Sequence, residues 1–232
     1  MKMSGNHILI TGGATGIGFS LAKYLHAEGN RLLLCGRRAD RLAEAAQALP
    51  GTQTFVCDVA EPAGRQALLS FVMQNFSQMN ILVNNAGIQR DIDLTKGTAD
   101  LDGGACEIKT NVEGPIYLSA LFTSMLAGKE NAAIINVSSG LAFMPEYSVN
   151  MPVYTATKGA LHNFSVAQRA QLAPLGIRVI EILPPAVISE LNMEGRTKRG
   201  TVNSPKFLGA DEYVEQTLAR MAKGEEEIRY HV

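Results

Sequence analysis

The chain has 232 residues, 46% of them hydrophobic and 19% charged, with 21 Lys and Arg against 22 Asp and Glu and a net charge of −1. That balance fits one large globular α/β domain, and basic residues scattered rather than massed argue against nucleic-acid or acidic-membrane partners. No apolar run reaches the ~20 residues of a spanning helix, MKMSGNHILIT leads into a strand rather than a cleavable leader, and Cys35, Cys57 and Cys106 lack CxxC spacing, so a cytoplasmic protein without disulfides, metal or membrane attachment is expected.

The first predicted strand is HILIT (7–11), followed by TGGATGIGFSLAKYL. Here Gly12, Gly16 and Gly18, with Thr15 and Ile17 between and beside them, span a strand-to-helix turn. Glycines so placed let the backbone turn tightly and approach a pyrophosphate, whose charge meets free N–H groups at the helix N-terminus. GFSLAKYLHAEG then reads as a helix with Gly29 as its C-cap.

The second strand, RLLLC (31–35), runs into CGRRADR. Where an NAD site offers a carboxylate to the ribose hydroxyls, this chain has Gly36 and then Arg37 and Arg38. A guanidinium forks onto phosphate oxygens that a carboxylate would repel, so NADP(H) is favoured over NAD(H). Arg38 also reads as part of a solvated helix entrance.

Next come a helix closed by Pro50 and Gly51, the strand TFVC (54–57), a helix with Pro62 in its first turn, and the strands ILVN (81–84), AIINV (133–137) and RVIEIL (178–183). These strands are apolar at consecutive positions, as expected when both faces are covered. Their alternation with helices predicts a single α/β domain over 1–232: a Rossmann-type doubly wound parallel sheet of about seven strands with helices on both faces. Cys35 and Cys57 read as small buried hydrophobes. Residues 88–104 and 188–209 break the rhythm, and the second is a candidate substrate lid. Its Arg196, Lys198 and Arg199 read as a solvated basic loop or, alternatively, as partners for an acidic group, and Met151, Leu191, Met193 and Phe207 as an apolar pocket or as local packing.

In MPVYTATKGAL (151–161), Tyr154 and Lys158 stand four residues apart and share one face of a helix. An ammonium held beside a phenol favours the phenolate.

TGGATGIG (11–18), CDV (57–59), NNAG (84–87), KTNVEGP (109–115), INVSSG (135–140) and YTATK (154–158) together resemble the short-chain dehydrogenase/reductase family, over nearly the whole chain. SSGLAFMPEYSVNMPVYTATKGALHNF is similar to its DltE-like branch. The resemblance implies that Asp58 and Val59 border the adenine and that Asn85, Ala86 and Gly87 lie beside the adenosine half of the cofactor. It makes Asn111 the holder of a relay water, Tyr154 the catalytic acid/base and Lys158 the ligand of the nicotinamide ribose. NVSSG offers two serines on opposite faces of a strand end, and aligning Gly140-Leu141-Ala142 with the family's loop places Ser139 as the reactive one rather than Ser138. Pro184-Pro185 stands where most members have proline-glycine, with Val187 and Ser189 against the nicotinamide carboxamide.

The implied activity is hydride transfer between NADP(H) and a small carbonyl or alcohol. The alternative is a non-catalytic NADP(H)-binding sensor. A homodimer or homotetramer, built on the helices that follow Ala105 and Pro152, is expected as well.

Overall fold

The structure is a computed structural model that describes residues 1–102, 106–202 and 207–230. Seven strands, β1 (His7–Thr11), β2 (Arg31–Gly36), β3 (Gln53–Val56), β4 (Ile81–Asn84), β5 (Ala133–Val137), β6 (Arg178–Leu183) and β7 (Glu227–Arg229), form one sheet in the order β3-β2-β1-β4-β5-β6-β7. Every pairing is parallel. The helices are α1 (Gly16–Ala27), α2 (Ala39–Ala48), α3 (Pro62–Asn75), α4 (Gly114–Leu126), α5 (Pro152–Leu172), α6 (Met193–Lys198) and α7 (Ala210–Ala222).

Side chains on a strand alternate between its faces, and β1 shows what that does here. Ile8 and Ile10 pack with Leu21, Leu25 and Tyr213 in one core, while Leu9 packs with Leu68, Val72 and Phe122 in the other. Both faces are therefore covered, which is why the strands read as unbroken apolar runs. The chain leaves β1 toward β2 on one side and returns to β4 on the other, so a crevice opens beyond the carboxyl ends of β1 and β4, the usual ligand position in such sheets.

Two strands depart from the sequence reading. β3 begins and ends one residue earlier than TFVC, leaving Cys57 just outside it, and as an edge strand it is only half covered, with Val56 56% exposed. β7 is three residues long, too short for a periodic signal. The helix expected after Ala105 runs over 107–126 with a π-helical stretch, Lys109–Glu113, at its start; Ala105 itself lies outside the described residues.

The two irregular stretches lean on each other. Asn192 caps α6 in a left-handed conformation (φ 51°) and its Nδ2 donates to Asp91 Oδ1 at 2.7 Å, while Arg199 pairs with the same aspartate. Ile188 N donates to Leu208 O at 2.9 Å and Leu208 N to Ala186 O at 3.0 Å, forming a bridge at the base of 188–209. Positions 103–104 of the first stretch and 203–206 of the second lie outside the described residues. Among the described residues no helix is long and apolar enough to cross a membrane.

Candidate active site

The glycine turn is fixed by its neighbours. Gly12 and Gly16 have φ of 62° and 56°, where a side chain is strained. A Cβ on Gly12 would sit 2.9 Å from Ala86 Cα, and one on Gly18 would collide with the Gly12 carbonyl and Asn85 Nδ2. The turn is thus pressed against the exit of β4. Thr11 Oγ1 donates to Val83 O at 3.1 Å and accepts from Asn85 N at 2.9 Å and Ala86 N at 3.0 Å. Asn85 Nδ2 donates to Thr11 O at 2.9 Å and Gly12 O at 3.0 Å. Asn85 therefore spends its amide on holding the turn, and Thr11, which the motif reading passed over, is fully engaged.

A cavity of about 770 Å³ runs from this turn along the strand ends. One end holds Thr15, Ile17, Arg37, Arg38 and Asp58, and Val59, 5% exposed, forms part of the floor. Arg37 stands 3.7 Å from Asp58 in an exposed ion pair. Arg38 stands at the N-cap of α2 with its side chain half exposed, as a solvated helix entrance would have it, and reaches Glu190 at 2.7 Å and Thr15 Oγ1 at 3.1 Å, tying α2 to the glycine turn and to the 188–209 segment.

The same cavity is lined by Ser139, Tyr154, Lys158, Pro184, Val187 and Ser189. Pro184 O accepts from Gly140 N at 2.9 Å, which docks the serine loop on the exit of β6. Ser189 approaches the glycine turn so closely that a Cβ on Gly16 would lie 3.3 Å from its Cβ. Ser138 turns its backbone N–H onto Ile182 O at 3.0 Å and is 2% exposed, while the Ser139 hydroxyl is the one that acts on Tyr154.

Asn111 lies in the π-helical stretch, a form that recurs at functional sites. Its Oδ1 accepts from Ile88 N at 2.9 Å, and its Nδ2 donates to Ile88 O at 2.9 Å and Thr157 Oγ1 at 3.0 Å. The side chain joins the exit of β4 to α5 and has one Oδ1 lone pair beyond these bonds. Gly87 completes the contact: a Cβ there would meet Asn111 Oδ1 at 3.4 Å and Lys158 Nζ at 3.7 Å.

Burial sets the electrostatics. Tyr154, 6% exposed, has its pKa pushed up to about 12 by loss of water, against the pull of the Ser139 hydroxyl and the Arg196 guanidinium, with Glu107 pushing the same way as burial. Lys158, 4% exposed, is lowered to about 8 by burial, with the Glu181 carboxylate opposing. Its Nζ lies 5.5 Å from the Tyr154 ring centroid and donates to Val137 O at 2.8 Å. Tyr154 and Lys158 share a face of α5, and burial is the largest influence on the phenol, holding its pKa above the ordinary tyrosine value.

The lid arginines also divide. Lys198 is exposed and paired with Glu194, and Arg199 is paired with Asp91, as a surface loop would have it. Arg196 is not solvated: it is 8% exposed, and its Nη1 donates to Val187 O at 3.1 Å and Ser189 O at 3.3 Å. Thr157 and Glu181, and the burial of Arg196, escaped the sequence reading because nothing in their spacing reports which elements will close over them. The glycine turn, the cavity's length and the arginines at one end fit a dinucleotide, whose phosphates would lie at the N-terminus of α1 and whose nicotinamide would lie near Tyr154 and Val187.

The comparisons agree with this arrangement. Residues 6–200 match the family described as short chain dehydrogenase. The oxidoreductase DltE of Bacillus subtilis (strain 168) is 46% identical over 98% of this chain and 89% of its own length. The short-chain dehydrogenase from Sphingobium yanoikuyae, solved in complex with NADPH, superposes with a TM-score of 0.85 at 27% identity, covering 98% of this chain and 89% of that one. A short-chain dehydrogenase/reductase from Burkholderia phymatum in complex with NAD shares the fold (TM-score 0.87, 22% identity, 98% and 89% covered). With its sheet order, glycine turn and strand-end cavity in place, the chain belongs to the short-chain dehydrogenase/reductase family of NAD(P)-dependent oxidoreductases, in its DltE-like branch.

Proposed function

We propose that this protein is an NADP(H)-linked oxidoreductase of small carbonyl and alcohol substrates, with Tyr154 as acid/base and Ser139 orienting the substrate oxygen. The observation that carries the reading is a buried phenol beside a serine hydroxyl and a buried lysine, lining the same cavity as the glycine turn. The cofactor, when bound, supplies or accepts the hydride. In reduction the substrate oxygen gains alkoxide character, and Ser139 and Tyr154 donate hydrogen bonds to it. Tyr154 passes its phenolic proton to that oxygen and is left as phenolate. Lys158, whose ammonium gives up a proton near pH 8, and Asn111, bonded to Thr157 one residue before it, support its reprotonation from solvent. Oxidation runs back through the same positions.

Arg37 and Arg38 support NADP(H) over NAD(H), since both line the adenosine end of the cavity. The same reading takes the protein as a cytoplasmic homodimer or homotetramer, with exposed Ile108, Tyr117 and Val166 on the 107–126 helix and α5 available for contact, and takes residues 188–209 as the substrate lid.

Tyr154→Phe keeps the ring and removes the proton. It should lower kcat/KM by about 10²–10⁴-fold on any carbonyl the wild type reduces, with NADPH affinity changed only a few-fold. Turnover at the wild-type rate would reject Tyr154 as the acid/base.

A further inference from the structure

A guanidinium taken out of water is costly unless an anion answers it. Arg196, on α6, is buried, with the Phe207 ring 5.0 Å from its central carbon. Among the described residues no carboxylate lies within 4.0 Å of it, although Arg38, Arg41 and Arg199 nearby each have one. The only described hydrogen bonds of its guanidinium leave from Nη1, to two backbone carbonyls, so Nε and Nη2 have no described acceptor. The groups that act on it electrostatically are a phenol, Tyr154, and a second cation, Arg199. The one acid that shares its neighbourhood through Tyr154, Glu107, is itself buried and holds its proton more tightly than usual. The guanidinium also lines the cavity, as do Met151, Leu191 and Phe207. A cation without an anion thus stands close to the acid/base, in a partly apolar space.

We propose that Arg196 is an anion subsite that binds the carboxylate of the substrate, so that the enzyme interconverts short hydroxy acids and the corresponding oxo acids. This rests on the reading of Tyr154 as acid/base. In oxidation the carbinol C–H leaves as hydride to NADP⁺ and the hydroxyl proton goes to the Tyr154 phenolate. The products are the oxo acid, NADPH and one proton. The carboxylate is unchanged, and its role is to fix the carbinol between Ser139 and Tyr154.

The test is a series of 2-, 3- and 4-hydroxy carboxylates, each paired with its uncharged primary amide, oxidised with NADP⁺. At least one acid should exceed its amide by about 10- to 100-fold in kcat/KM, the range of a charged hydrogen bond. Arg196→Gln should bring that ratio near one and Arg196→Lys should restore part of it. A loop disturbance alone lowers acid and amide together and leaves the ratio standing, which would overturn the proposal. So would a ratio of one in the wild type, or an NADPH Kd that weakens in Arg196→Gln by as much as the acid does, since the arginine would then serve the cofactor's phosphates.

Should Arg196→Gln not fold, calorimetry on the wild-type NADPH complex decides the matter: butanoate should bind and butanamide should not, and equal binding rejects the subsite. Tyr154-dependent turnover of neutral alcohols without any acid preference would sink the subsite and leave the proposed function standing. Absence of turnover with every acid and amide would count against the function instead, and the butanoate measurement would still judge Arg196.

Discussion

Burial drives Tyr154 and Lys158 in opposite directions, and each shift becomes a pH dependence of stability. Between about pH 8 and the ordinary lysine value of 10.5, the unfolded chain holds the Lys158 proton that the folded chain has released, so stability rises with pH across that window. Its full size is on the order of 3 kcal/mol. Above pH 10 the unfolded phenol ionises while folded Tyr154 keeps its proton to about 12, so that contribution is lost as pH climbs further. Denaturant unfolding of the wild type and Lys158→Met at pH 7 and pH 10 measures the first effect: the gain on raising pH should shrink in the variant, and an equal gain in both would contradict the buried ammonium. The sequence showed this pair, because four-residue spacing on a helix fixes a shared face. It could not show the order of the forces, since desolvation depends on β5, β6 and the 188–209 segment closing around α5.

At the scale of elements, the join between β1 and β4 decides whether the glycine turn is held. Thr11, 1% exposed, is the hinge of that join, using one hydroxyl for three backbone groups. Thr11→Val keeps the shape and strands the Asn85 and Ala86 amides, so unfolding free energy should fall by about 1–3 kcal/mol, with weaker NADPH binding. Unchanged stability would show that water replaces the hydroxyl. The glycines were legible because few other residues tolerate such a turn. Thr11 was not, since its partners lie some seventy positions away. β7 escaped placement for want of length, and β3 was read as fully covered because an edge strand with apolar residues looks like a central one.

For the whole molecule, the sheet order follows from alternating strands and helices with crossovers of one hand, which is why the fold class was readable from the pattern alone. Quaternary contacts are a different matter, because a single exposed apolar residue is ordinary on any surface. Val166 on α5 is 46% exposed and gives a direct probe. The wild type should sediment as a dimer or tetramer, and Val166→Lys should shift it toward monomer. A monomeric wild type would remove the homo-oligomer from the proposed function.

The bridge between Val187 and Leu208 gives the 188–209 segment a narrow neck on the cofactor side, with Ile188 and Leu208 amides locked across it. Beyond that neck, Ser189 lies against Gly16 and Glu190 holds Arg38, so the segment is also joined to the glycine turn and to α2. The two ends of the segment are therefore fastened to each other and to the glycine turn at once, so a substitution at the neck is felt at both.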